Sequence, residues 1–90
     1  MSEKPLSGLK IVDFSAVFAG PICTRLMSDC GADVIKIEPP VGGDVIRGPL
    51  GRSRLFAHFN AGKRCVALDL AQSQGQELAR ELIAGADVVV

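Results

Sequence analysis

Glu38 and Asp44 bracket the stretch "EPPVGGD", in which two prolines and two glycines follow directly on the apolar run "DVIKI". An acid that closes the second strand of a dinucleotide-binding fold holds a ribose, and glycines just beyond a strand end commonly serve phosphate. Asp13 and Asp69 sit late in two further apolar runs, "LKIVDF" and "CVALDL", placed to cap local backbone groups or to face a ligand. The bases lie elsewhere. Residues 45 to 68 hold Arg47, Arg52, Arg54, Lys63 and Arg64 and no acid, whereas the remaining residues carry ten acids and five bases. Such a segment favours a phosphate-rich ligand; a solvated charged face is the plainer reading. Single-stranded nucleic acid is the rival, because "RSRLFAHF" mixes arginines with Phe56 and Phe59. Phenylalanines flanked by Leu55 and Ala57 are more often core anchors than stacking platforms, which argues against it.

Other chemistries find little footing. His58 is the sole histidine and has no cysteine or acid at ligand or triad spacing, which makes it structural or exposed. Cys23, Cys30 and Cys65 are odd in number and form no Cys-x-x-Cys pair, so neither a metal site nor a disulfide framework is expected; buried reduced thiols are.

These residues need elements to hold them. "LKIVDF", residues 9 to 14, suits a buried strand, "DVIKIE" a second, "CVALDL" at 65 to 70 a third, and "ADVVV" the start of a fourth. Between the first two, Ile22, Cys23, Leu26, Met27 and Cys30 form one apolar helical stripe, with Pro21 in the first turn and Gly31 ending the helix. "SQGQELARELIAG" repeats the pattern with Leu78, Ala79, Leu82 and Ile83. Ser73 and Gln76 there have capping-box spacing, and Gly85 closes the helix. Residues 39 to 62 read as a long loop with one helical turn near "SRLFAHF", a length that is usually functional.

A weak internal repeat supports this layout: "GADVI" at 31 to 35 returns as "GADVV" at 85 to 89, and "VDF" resembles "LDL". Two βαβ units in series imply an α/β fold with a Rossmann-like open parallel sheet and helices on its faces, binding its ligand at the carboxyl ends of the strands. NAD is disfavoured. Glu38 lies 18 residues after Gly20, near the ribose spacing, but "SAVFAGPICTRL" offers a single glycine where the fingerprint needs three. The helix starting near Pro21 still presents free N–H groups to an anion, unless Ala19-Gly20 is simply a compact turn.

With 90 residues, 48% of them hydrophobic and 22% charged, at zero net charge, the chain is neither disordered nor collagen-like and forms at most one domain. No run approaches the roughly 20 apolar residues of a membrane span, and "MSEKPLSG" lacks the order of a secretory signal, so a cytoplasmic protein without membrane contact is expected. "ADVVV" stops without a turn or cap, so the chain is expected to be an N-terminal part of a longer domain, poorly stable and inactive alone.

"PLSGLKIVDFS", "AGP" before a helix, "GADVIKIEPPVGGDVIR", "FNAGKRCVALDL" and "GADVVV", in this order and spacing, resemble the start of the class III (CaiB/BaiF) CoA-transferase family, which also contains α-methylacyl-CoA racemases. The resemblance covers nearly all of residues 5 to 90. It implies a Rossmann-like large domain that binds the adenosine diphosphate part of coenzyme A within a longer, interlocked homodimer. Acyl-CoA and a carboxylic acid are then the substrates, CoA enters as a thioester and not as a resident cofactor, and nucleic acid has no part.

By the same resemblance, Phe18 and Ala19 after the first strand, Pro39 after the second, and Leu68, Asp69, Leu70 and Ala71 at the end of the third are CoA contacts. The formyl-CoA and oxalate branch has Gln, Arg and Lys where Phe18, Pro39 and Ala71 stand here. Two cations expected near the CoA phosphates are thereby lost, and Arg47, Arg52, Arg54, Lys63 and Arg64 are the candidates to replace them, Arg47 and Lys63 foremost. The family's nucleophile is an aspartate beyond residue 90, so no catalytic residue is assigned within the chain. The alternatives are a 2-methylacyl-CoA racemase of the same family, using a downstream His and Asp pair, and a non-catalytic nucleotide-binding or assembly module.

Overall fold

The computed structural model describes residues 3 to 49 and 53 to 90. Four strands, β1 (Lys10–Asp13), β2 (Asp33–Glu38), β3 (Arg64–Ala67) and β4 (Val88–Val89), form one sheet in the order β3-β2-β1-β4. Every pair is parallel, with Ile11 opposite Val34 on one side and Val88 on the other, and Ile35 opposite Arg64. Parallel neighbours need crossovers. These are α1 (Ala19–Asp29), a segment containing a 3₁₀ turn (Val45–Arg47) and α2 (Arg54–Phe59), and α3 (Ser73–Ala84). The expected Rossmann-like α/β architecture is what the chain adopts. No helix among the described residues is long and apolar enough to cross a membrane.

The core forms where the sequence concentrates β-branched residues. Ile11, Ala32 and Val34 are buried together, with Leu6, Leu9, Met27 and Val88 against them. α1 ends as expected: Cys30 caps it with its N–H on the carbonyls of Leu26 and Met27, and Gly31 follows at φ 107°, a region that L side chains rarely adopt.

Several expectations are corrected. Most of the stripe on α1 faces outward: Ile22 and Leu26 are 38% and 59% exposed, and Cys23 and Cys30 are exposed, whereas Met27 packs against the core and Pro21 and Thr24 face the sheet. Small residues let the helix approach there, and the Thr24 hydroxyl donates to the buried Asp13 carboxylate at 2.6 Å. The three cysteines are free but exposed, because two lie on that outer face and Cys65 lies on β3, all of whose residues are exposed. In α3 only Ala79 of the predicted stripe is buried. Its capping box does not form; Gln72 is the N-cap without a side-chain bond, and the Gln76 amide donates instead to the Leu70 carbonyl at 3.0 Å.

β3 is shorter than "CVALDL". Its last ladder bond runs from Leu68 N–H to the Glu38 carbonyl at 3.0 Å, after which Asp69 bends the chain by accepting the Ala71 and Gln72 amides. Leu68 to Ala71 therefore form a loop at the carboxyl end of the sheet.

Two glycines seat the crossover helices. A Cβ on Gly20 would fall on the Ser15 side chain, and one on Gly75 would overlap the Asp69 carbonyl. G20A and G75A are each expected to cost about 1–3 kcal/mol, read as a lower urea midpoint of the full-length protein. S15G should recover part of the G20A loss, since the obstructing atoms are the Ser15 Cβ and Oγ; no side-chain change at residue 69 should rescue G75A. An unchanged midpoint for G75A would show that α3 is not seated on Asp69.

Candidate functional site

The sheet opens at the carboxyl ends of β1, β2 and β3 into a cavity of about 280 Å³. Phe14, Ile37, Pro39, Leu68 and Leu70 give it an apolar wall, and Glu38, Asp44 and Asp69 add carboxylates. This is where open parallel sheets bind ligands, and the size suits one ring system of a larger ligand.

A chain of charges underlies the cavity. The Arg47 guanidinium grips Glu38 with two bonds, Nε to Oε1 at 2.7 Å and Nη2 to Oε2 at 2.8 Å, and lies 3.7 Å from the centre of the Phe56 ring. Glu38 Oε1 also accepts the Asp44 amide at 3.0 Å. Asp44 in turn meets the Lys36 ammonium at 2.9 Å, which donates as well to the Ser15 carbonyl at 2.9 Å. Behind it, Lys63 Nζ reaches Asp13 at 3.1 Å, the Pro21 carbonyl at 3.1 Å and Asn60 Oδ1 at 2.7 Å, while Ser15 and Thr24 donate to the same Asp13. Both lysine side chains are 0% exposed.

The carboxylates respond accordingly. The Arg47 fork holds the Glu38 carboxyl below its ordinary range. Burial alone would raise Asp44 and Asp13. For Asp44, Lys36 and the Ile46 and Val17 amides outweigh burial; for Asp13, the Ser15 and Thr24 donors and Lys63 do so; both end lowered.

The turn into α1 is the strained part. Val17 has φ 72°, the one non-glycine residue at positive φ among those described, and a β-branched residue there costs roughly 1–2 kcal/mol. Its N–H points at Asp44, 3.2 Å from both carboxylate oxygens.

Of the expected contacts, Pro39, Leu68, Asp69 and Leu70 line the cavity. Phe18, 50% exposed and edge-on to Phe59 at 5.5 Å, and Ala19 lie at the start of α1 outside the wall, as does Ala71 beside it. The basic segment is corrected from a free positive field to a set of partners for acids on the strands. Lys63 is consumed by Asp13, Arg47 by Glu38, and Arg64 by Asp33 at 2.7 Å; Arg54 is exposed, and Arg52 lies outside the described residues. Glu38 is likewise no free ribose acceptor. Gly42 and Gly43 make the turn at φ 79° and 65°, and Gly43 leaves room for the fork, since a Cβ would lie 2.8 Å from Arg47 Nε. Phe14, Ser15, Lys36 and Val17 were not singled out from sequence, although a lysine inside the apolar "DVIKIE" was a signal of a buried ion pair.

The cavity lies across the strand ends of a parallel α/β sheet, where such sheets bind ligands, and the turn into α1 lacks the three glycines of the NAD fingerprint. Residues 6–90 match CoA-transferase family III. The chain belongs to that family. It is 44% identical over 92 aligned residues to the formyl-CoA:oxalate CoA-transferase of Bradyrhizobium diazoefficiens and 42% identical to that of Afipia carboxidovorans, in each case over 97% of this chain and 22% of the relative. A CAIB/BAIF family protein from Brucella suis superposes with a TM-score of 0.89 at 41% identity, over 98% of this chain and 25% of its own. A hypothetical protein (Rv3272) from Mycobacterium tuberculosis does so with a TM-score of 0.87 at 38% identity, over 96% and 24%. The chain thus spans less than a quarter of the length of the curated relatives it matches.

The ion pairs rank by burial. In the full-length protein, K63M, which strands Asp13, should cost about 3–5 kcal/mol, R47M, at a partly exposed pair, about 1–2, and R64M less than about 1. Equal costs in urea denaturation would contradict the network. Glu38, Asp44 and Asp13 are lowered in the folded state, so their contribution is complete above their unfolded values, near 4, and is lost as pH falls through the folded ones. Thermal midpoints should therefore hold down to about pH 5 and drop below about pH 4, with a shallower drop in E38Q.

Proposed function

We propose that this chain supplies the CoA-binding end of an enzyme that moves coenzyme A from an acyl-CoA donor to a carboxylic acid acceptor. The observation that carries the reading is the cavity at the strand ends in a chain that matches CoA-transferase family III from residue 6 to residue 90. Pro39, Leu68, Asp69 and Leu70 wall the nucleotide end, and Phe18, Ala19 and Ala71 flank it. Arg47 keeps part of its side chain in solvent and can meet a phosphate at the rim. Lys63 has no exposed ammonium and in this reading supports the end of β1 instead of binding phosphate.

The nucleophile is an aspartate outside residues 1 to 90. Glu38, Asp44 and Asp13 are each tied to a cation and to further donors, which makes them poor attackers. The downstream carboxylate attacks the thioester carbonyl and expels CoA thiolate, leaving a mixed anhydride. The thiolate then attacks the aspartyl carbonyl and releases the donor's carboxylate. The acceptor carboxylate attacks the aspartyl thioester and expels CoA thiolate, and the thiolate takes the acceptor carbonyl of the second anhydride, releasing the free aspartate. No resident cofactor and no nucleic acid enter, and the protein acts in the cytoplasm as a homodimer. The relatives' names favour transfer over racemisation.

The test incubates the full-length protein with an acyl-CoA and a second carboxylic acid and follows thioesters by mass spectrometry. A new thioester carrying the second acid is expected. Scrambling of an α-stereocentre without a new thioester would reject transfer in favour of racemisation; binding of CoA without either reaction would leave a non-catalytic module.

A further inference from the structure

Asp44 does more than neutralise Lys36. One carboxylate gathers three donors from three segments: the Lys36 ammonium on β2, the Ile46 amide in the 3₁₀ turn and the Val17 amide between β1 and α1. Val17 is also where the backbone is held at φ 72°. An L residue leaves that region when nothing restrains it, and the next residues, Phe18 and Ala19, would move with it.

We propose that Asp44 is a positioning residue, whose carboxylate clamps the Val17 amide and so keeps the left-handed turn that holds Ser15 and Ala16 in the cavity wall and Phe18 and Ala19 at its flank. Lys36, wholly buried, fixes the carboxylate from behind, and Glu38 fixes the Asp44 backbone through its amide. The glycine pair before Asp44 lets residues 39 to 44 fold back far enough for the clamp to reach across 27 residues of sequence. The proposal rests on the CoA-binding reading for its consequence, not for the clamp itself.

The two can be separated in the full-length protein. Calorimetry with CoA should show D44N binding about tenfold more weakly than wild type. Replacing Val17 by glycine removes the conformational penalty, so V17G/D44N should bind within about threefold of V17G. A double variant as impaired as D44N, with both folded by circular dichroism, would overturn the proposal, as would D44N binding like wild type. Amide exchange decides the clamp where D44N does not fold or where wild type binds no CoA. The wild-type Val17 amide should be protected at least about tenfold more than the neighbouring exposed Ala16 amide, and equal exchange at the two would end the idea. Absent CoA binding by wild type alone rejects the functional reading and leaves the clamp to that measurement.

Discussion

Two ammonium groups without solvent exposure, on Lys36 and Lys63, sit at the carboxyl end of a four-stranded sheet, and the local architecture follows from keeping them satisfied. A buried cation without a partner costs several kcal/mol, a large share of the net stability of a folded protein. Each lysine therefore draws in an acid and backbone or amide oxygens from distant segments. Lys63 brings together the end of β1, the first turn of α1 and the residue after α2; Lys36 joins β2 to the Ser15 carbonyl and to Asp44. Apolar burial is non-directional and could have closed this end of the sheet in several ways. Directed bonds between named atoms leave one.

That logic explains which parts of the structure were legible in the sequence. Strands and helices followed from local pattern: β-branched runs for β1 and β2, a proline early and a glycine late around α1, and the repeated βαβ unit for the parallel order. The orientation of α1 was not legible. Its apolar residues mark a stripe, but the face that meets the sheet is chosen by Thr24 reaching Asp13 and by Gly20 fitting over Ser15, both tertiary facts. The basic segment misled for the same reason. Its cations pair with acids 9, 31 and 50 residues away, for Arg47, Arg64 and Lys63 respectively, so a local count of charge saw bases without acids where the fold has neutral pairs. Pro39, Leu68, Asp69 and Leu70 were reached through resemblance to a family; Phe14 and Ser15 entered the site only through the course of the chain after β1.

The comparison with a dinucleotide fold turns on what glycines do. Of the three jobs in the fingerprint, Gly20 comes nearest to one, close packing of the helix, here on Ser15 in the turn after β1, and Gly75 repeats it on Asp69 in the loop after β3. The pair at 42 and 43 serves the turn and the Arg47–Glu38 fork. Close backbone approach to a pyrophosphate, which the missing glycines would allow, is not built into the first turn. What faces the crevice at this end is the apolar wall together with the side chains of Glu38, Asp44 and Asp69.

The two halves also differ in how they use the acid at the strand end. Asp13 and Asp69 occupy corresponding places, each a few residues before the glycine that seats the next helix. Asp13 is wholly buried and committed to Lys63, Ser15 and Thr24. Asp69 is exposed, lines the cavity, and accepts the Ala71 amide at 3.1 Å. Glu38 and Asp44, the other acids in the wall, are each bound to a buried or forked cation. Among the described residues it is thus Asp69 that brings to the cavity a carboxylate not consumed by an ion pair. The repeat has kept the fold in both halves and freed the acid in one, on the side of the sheet where a ligand would lie.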